Sequence, residues 1–163
     1  MNTGQMILTM GAMIFLSAMV LRVNSISLEN TSTMYNSKFD ILALSIGNTM
    51  LGKITKKAFD EKTIGNTLTN KKYLTTKSRL GPENETYSKF DDVDDYNGYS
   101  YTDSTMPSAK FKVSISVGYV NDTNPDKIIS SKRWTKKITV KITSKSMTDT
   151  VTVSTLYSYW VFR

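Results

Sequence analysis

The chain has 163 residues, a net charge of +7, and neither cysteine nor histidine. Its length suggests one domain with room for an extension. The two missing residue types exclude a disulfide framework, a zinc site built from cysteine and histidine, and catalysis that needs a cysteine nucleophile or a histidine base. Carboxylate, lysine and serine chemistry remain open, as does every structural role.

The first informative segment is Gln5–Leu21, QMILTMGAMIFLSAMVL, which contains no charged residue and is followed by Arg22. A helix of this length spans about 26 Å, close to the ~30 Å of a bilayer hydrocarbon core. The helix is apolar in every direction, so a domain of this size could hardly surround it. A cleavable secretory signal fits less well because residues 1–4 carry no basic group. We therefore predict a membrane anchor or an inter-subunit core helix over residues 1–22.

Residues 23–63 contain no proline and continue the helical pattern. Short polar side chains at 24–25 and 30–33 compete for the backbone and predict that the helix thins or breaks there. Gly65 is a plausible helix stop. An unbroken helix over these two segments would be about 87 Å long. Its second part needs a globular head to cover a stripe of apolar residues with helical spacing, namely Leu28, Tyr35, Phe39, Leu42, Ile46, Met50, Ile54 and Ala58.

The rest of the chain divides into an irregular connection and a strand-rich segment. We predict an irregular connection over residues 64–110, with a short strand near 71–76. Over residues 111–163, apolar and polar residues alternate with period two in three stretches, 111–119, 134–143 and 151–161. Lys136 interrupts the apolar face of the second stretch. The predicted fold class is α+β, with the C-terminal half of a long N-terminal helix packed against a small antiparallel sheet.

This order of elements resembles the type IV pilin and pseudopilin superfamily, and the resemblance covers most of the chain as architecture. The segment 90–98, FDDVDDYNG, is similar to the loop that precedes the sheet in many pilin-like proteins. If Met1 is the first mature residue, Gln5 stands where the family carries a glutamate, and it offers a neutral group to a neighbour's amino terminus. If cleavage follows Gly4 instead, Thr9 takes that position. The family's C-terminal disulfide has no counterpart here.

The resemblance implies a structural subunit of an extracellular type IV pilus-like helical filament at the cell surface, assembled through its N-terminal hydrophobic helix. Subunits would wait in the cytoplasmic membrane until the pilus assembly machinery packs their helices into the filament, a homo-oligomer. The alternative is a non-polymerising minor pseudopilin or a membrane-anchored envelope binding protein. The residues expected in the filament core are Gln5, Met6, Ile7, Leu8, Met10, Gly11, Met13, Ile14, Phe15, Leu16, Met19 and Leu21.

Residues 83–104 carry seven acidic groups and one basic group, between two basic stretches. We expect this acidic loop to be neutralised within or between subunits. The carboxylates that could hold calcium are Asp91, Asp92, Asp94 and Asp95, although their spacing does not match an EF-hand. The alternatives for these four residues are a solvated loop or salt bridges to lysines, and we expect no other cofactor.

Basic residues of the strand-rich segment predict a positively charged sheet face, formed by Lys112, Lys132, Arg133, Lys136, Lys137, Lys141 and Lys145. Nucleic acid could bind such a face. A solvated face, or docking to the acidic loop of the next subunit, is the simpler interpretation. The polar clusters show no nucleophile–base pair and no phosphate-binding loop, so we expect no enzyme activity.

Overall fold

The computed structural model describes residues 2–160 of the chain. By its internal contacts the chain divides into two compact units, Met1–Lys38 and Phe39–Arg163. The first unit is helical, and the second contains the sheet and the hydrophobic core. The end of the third predicted strand, Val161, lies outside the described residues.

Helix α1 runs from Thr3 to Ile54 without the break predicted near residues 24–33. The hydroxyl groups in this stretch bond back to the helix instead of competing with it. Thr31 Oγ1 donates to the Ser27 carbonyl at 2.8 Å, and Thr33 Oγ1 donates to the Glu29 carbonyl at 3.0 Å. Bonds to the carbonyl four residues earlier leave the backbone ladder intact.

The second unit contains a five-stranded antiparallel sheet with the order β1-β2-β4-β5, and β3 pairs with the end of β2. In the central register, Ile115 lies opposite Val140, which lies opposite Val153. The fold class is therefore α+β, as predicted, with helix α1 packed on the sheet. The strands are β1 Ser100–Asp103, β2 Phe111–Asn121, β3 Asn124–Ile128, β4 Thr135–Ser144 and β5 Val151–Ser158.

The core lies between the C-terminal part of helix α1 and one face of the sheet. Gly47 allows the close approach of helix and sheet, because a Cβ atom there would overlap Cγ2 of Val153. The helix residues that are fully buried are Ala43, Gly47, Met50, Leu51 and Ile54. The strand residues that meet them on the inner face include Phe111, Val113, Ile115, Val117, Tyr119, Ile138, Val140 and Ile142. Leu28 and Tyr35, at the start of the predicted stripe, remain exposed.

The helix ends at Ile54, well before the predicted stop at Gly65. Beyond Ile54 the backbone forms hydrogen bonds to a distant loop instead of continuing the helix. The Ala58 N–H donates to the Asp91 carbonyl at 3.1 Å, and the Val93 N–H donates to the Ala58 carbonyl at 2.9 Å. Asp60 then caps a single 3-10 turn, Glu61–Thr63. A continuing helix could not present this backbone to the loop at residues 91–93.

Two strands and one turn also differ from the predictions. Strand β1 lies inside the segment predicted to be irregular, and β3 lies between the first two predicted strands, where no strand was predicted. Both are edge strands that gain their hydrogen bonds from β2. The strand predicted near residues 71–76 is instead a 3-10 turn, Lys71–Tyr73, capped by the Asn70 side chain.

Candidate assembly helix and the buried Lys136 cluster

The N-terminal part of helix α1 presents a continuous apolar surface. Fourteen large apolar side chains between Met6 and Leu28 are each at least 49 % exposed, and Leu8 reaches 75 %. The twelve residues predicted for the filament core all lie on exposed helix. Monomeric soluble proteins rarely leave an apolar patch of this kind uncovered.

Two hydroxyl groups within this surface donate to carbonyl groups of the helix itself. Thr9 Oγ1 donates to the Met6 carbonyl at 2.9 Å, and Ser17 Oγ donates to the Met13 carbonyl at 2.8 Å. These two hydroxyl groups therefore need no hydrogen-bond acceptor outside the helix. A helix with internally satisfied polar groups is suited to lipid or to other apolar helices.

Charge is nearly absent from the same stretch. Between Thr3 and Leu28 the single charged residue is Arg22. By length and composition, helix α1 is able to cross a membrane. The apolar surface continues beyond Arg22 through Val23 and Ile26, so it extends further than the uncharged run.

The four acidic residues of the predicted calcium site lie close together but differ in exposure. Asp91 is exposed, whereas Asp92, Asp94 and Asp95 are at most 1 % exposed. Of the two alternatives to calcium, a solvated loop does not describe these three residues, whereas a salt bridge to a lysine is present at Asp94. Asp91 and Asp95 lie near Glu85, with carboxylate oxygens within 4.8 Å of one another. Asp92 and Asp94 are not part of that group.

Lys136 is not on the basic outer face, where the sequence analysis placed it. It occupies an inward-facing position of β4, is fully buried, and uses its ammonium group for three contacts. Its Nζ atom lies 2.6 Å from the Phe59 carbonyl, 3.0 Å from Asp60 Oδ2 and 2.5 Å from Asp94 Oδ1. A buried ammonium is very costly unless it is paired in this way.

Aromatic rings close the space around this amine. The centroid of the Phe59 ring is 4.3 Å from Lys136 Nζ, and that of the Tyr119 ring is 5.1 Å away. The ring faces attract a cation and exclude water. We call Phe59, Asp60, Asp94, Tyr119 and Lys136 the Lys136 cluster.

Asp60 and Asp94 have different surroundings within the Lys136 cluster. Asp60 accepts hydrogen bonds from the Lys62 N–H, from the Thr75 N–H and hydroxyl, and from the Tyr119 hydroxyl at 2.9 Å. Oδ2 of Asp94 is buried and has no hydrogen-bonding partner among residues 2–160. Asp60 is therefore stabilised as a carboxylate by several donors, whereas Asp94 has only the Lys136 ammonium.

The pKa values follow from this difference. Burial alone would raise the pKa of Asp60, but the Lys136 ammonium and the hydrogen bonds from Thr75 outweigh it and lower that pKa. Burial, opposed by Lys136 and reinforced by the neighbouring Asp60 carboxylate, raises the pKa of Asp94 to about 7. Burial, reinforced by Asp94, raises the pKa of Asp92 to about 8.

The remaining basic residues agree better with the predicted face. Lys112, Lys141 and Lys145 are exposed, and Lys132, Arg133 and Lys137 are partly exposed. Lys137 pairs with the exposed Asp126 at 2.8 Å. Within the described residues, the acidic loop and the basic strands form one ion pair, between Asp94 and Lys136.

Asp60 was not predicted as a site residue, and Lys136 was predicted to lie on the basic face. Period-two alternation did put Lys136 among the inward-facing residues of its strand, which was the available signal. Asp60 had no such signal, because it lay within the predicted helix.

Comparisons of this chain with protein-family models, with curated proteins and with solved structures find no match.

Proposed function

We propose that this chain is a structural subunit of a type IV pilus-like filament, assembled through the exposed apolar surface of helix α1. The observation that carries the proposal is the uncovered apolar surface between Met6 and Leu28, on a helix that also contributes to the core of a small α+β unit. The long N-terminal helix and small antiparallel sheet are compatible with a pilin-like fold.

Lipid covers this surface before assembly, and the same helix of neighbouring subunits covers it afterwards. Burying a large apolar side chain contributes about 1.5–3 kcal/mol, and fourteen such side chains are exposed here. Methionines at positions 6, 10, 13 and 19 adapt to several different neighbours. Gly11, where an added Cβ would meet no atom within 4 Å, leaves room for close approach of a second helix.

A bilayer would cover less of the exposed apolar surface of helix α1 than neighbouring subunits in a filament would. The uncharged run of about 26 Å is long enough for most of a bilayer, yet Val23, Ile26 and Leu28 remain exposed beyond Arg22. Packing against neighbouring helices would cover these residues too. The filament would lie at the cell surface, and the membrane would hold the subunit before assembly.

The proposal is tested by negative-stain microscopy of sheared cell-surface material, with mass spectrometry to identify the filament protein. In Phe15→Asp, a carboxylate replaces a side chain that is 73 % exposed in the middle of the surface. We expect this variant to abolish filaments. The matched control is Ser32→Asp, which places the same charge at an exposed helix position beyond the apolar surface.

Membrane fractions of the same cells separate insertion from assembly. A charge at the centre of a membrane helix costs about 2.5–3.5 kcal/mol on insertion scales, which a long apolar segment tolerates. We therefore expect Phe15→Asp to remain in the membrane fraction. Normal filaments from Phe15→Asp would contradict the proposal. A wild-type protein found only as membrane monomers would support the alternative, a non-polymerising pseudopilin or anchored binding protein.

A further inference from the structure

The Lys136 cluster places an amine and a carboxyl group in contact inside a closed, aromatic-lined site. We propose that Lys136 and Asp94 react to form an intramolecular amide bond between Nζ and the side-chain carboxyl carbon Cγ. The bond would join the loop before β1 to strand β4, across 42 positions of the chain. It would supply a covalent cross-link to a protein that has no cysteine.

The first support is proximity. Nζ of Lys136 lies 2.5 Å from Oδ1 of Asp94, and both side chains are fully buried. Because Cγ is one bond from Oδ1, the two reacting atoms are close to the ~3–3.5 Å separation of a near-attack arrangement. Both groups are held on structured backbone, β4 and the turn Asp94–Tyr96, so little motion is needed.

The second support is the choice of carboxyl group. Asp60 also contacts Lys136, but four hydrogen bonds from Lys62, Thr75 and Tyr119 hold it as an unreactive carboxylate. Asp94 Oδ2 has no such donor among the described residues. Asp94 is therefore the carboxyl group that takes up a proton and becomes electrophilic, in line with its raised pKa.

The third support is the electrostatics of the interior. Transfer of one proton from the Lys136 ammonium to the Asp94 carboxylate gives a neutral amine and a neutral acid. Asp60 is then the one charged group of the Lys136 cluster, and it keeps its hydrogen bonds from Thr75 and Tyr119. The neighbouring Phe59 and Tyr119 rings lie within 4.3 and 5.1 Å of Nζ and keep water away. A desolvated amine in an apolar pocket is a competent nucleophile.

The reaction balances without any other reactant. The nitrogen lone pair of neutral Lys136 attacks Cγ of protonated Asp94, and the N–C bond forms. Asp60, whose Oδ2 is 3.0 Å from Nζ, accepts a proton from the nitrogen and returns it to the departing hydroxyl. The C–O bond breaks and one water molecule leaves. The remaining amide N–H keeps a partner in the Phe59 carbonyl, 2.6 Å from Nζ.

The test uses the full chain, purified in detergent and digested with trypsin. Cleavage after Lys89 and Lys110 releases residues 90–110, and cleavage after Arg133 and Lys137 releases residues 134–137. We expect these two peptides to be joined, with the mass of their sum less one water molecule. Tandem mass spectrometry would place the junction at Asp94 and Lys136. Two separate peptides would overturn the proposal, even if one of them had lost water as a cyclic imide.

Two variants form a matched pair. Lys136→Arg keeps the positive charge and hydrogen-bond donors but replaces the amine, so the joined peptide should disappear completely. Lys137→Arg changes the next lysine, which faces the outer side of the sheet, so the joined peptide should remain. A junction that persists in Lys136→Arg would overturn the proposal. The wild-type result stands by itself if Lys136→Arg fails to fold.

Discussion

Helix α1 approaches the sheet closely at Gly47, and replacing this glycine tests the packing directly. In Gly47→Ala, the new Cβ would overlap Cγ2 of Val153 and lie 3.0 Å from Cδ1 of Ile142. Gly52 lies on the same helix, and a Cβ there would meet no atom within 4 Å. Gly52→Ala is therefore a matched control with the same chemical change and no overlap.

The magnitude follows from two opposed terms. Alanine in a helix interior is favoured over glycine by about 1 kcal/mol, which applies to both variants. Overpacking a core costs about 1–3 kcal/mol, which applies only to Gly47→Ala. We therefore expect Gly52→Ala to be slightly more stable than the wild type. Gly47→Ala should be less stable than Gly52→Ala by about 1–3 kcal/mol, because the propensity term cancels in that comparison.

Thermal unfolding of the full chain in detergent measures this difference, with near-ultraviolet circular dichroism reporting on Trp134 and the buried tyrosines of the second unit. One kcal/mol corresponds to a shift in Tm of about 4 °C for a unit of this size. Equal melting temperatures for Gly47→Ala and Gly52→Ala would refute the close approach of helix and sheet at Gly47.

Two further predictions concern the acidic loop. The raised pKa of Asp92, about 8, means that its contribution to stability is fully present below the ordinary value near 3.8 and is lost as the pH rises through about 8. Asp92→Asn should therefore be more stable than the wild type at pH 8 and differ little from it at pH 4, whereas equal effects at both pH values in urea unfolding would contradict this. Calcium should leave the Tm unchanged, because Asp92, Asp94 and Asp95 are at most 1 % exposed and Asp95 Oδ2 already accepts two backbone N–H groups. A saturable rise in Tm that Asp91→Asn abolishes would refute that expectation.

The helix and strands with a regular spacing of apolar residues were predictable, because that spacing is visible in a short stretch of sequence. An uncharged run such as Gln5–Leu21 predicts a helix from its own composition, and the alternation in 111–119 predicts a strand from neighbouring residues alone. The α+β class followed because one apolar stripe of the helix and one apolar face of the sheet must each be buried, and they can bury each other. The end of the helix was not predictable, because backbone contacts between Ala58 and the loop at 91–93 displace it.

The Lys136 cluster shows what local pattern could not reveal. A lysine on a strand and aspartates in a loop are usually solvated, so the sequence favoured a basic face and an acidic loop. In the structure, Lys136 meets Asp94 and Asp60, which lie 42 and 76 positions away along the chain. Pairs so far apart depend on the path of the whole backbone, and no spacing rule connects them.

The sequence by itself determined the uncharged apolar run of helix α1, the three strands β2, β4 and β5, and the α+β class. Only the tertiary structure decided which charges leave water. Burial is a property of the packed sheet and loops, and it converts Asp60, Asp94 and Lys136 from surface charges into one coupled group. The physical reason is that a hydrophobic pattern depends on residues that are near one another in the sequence. The desolvation of a charged group depends on every element that packs around it.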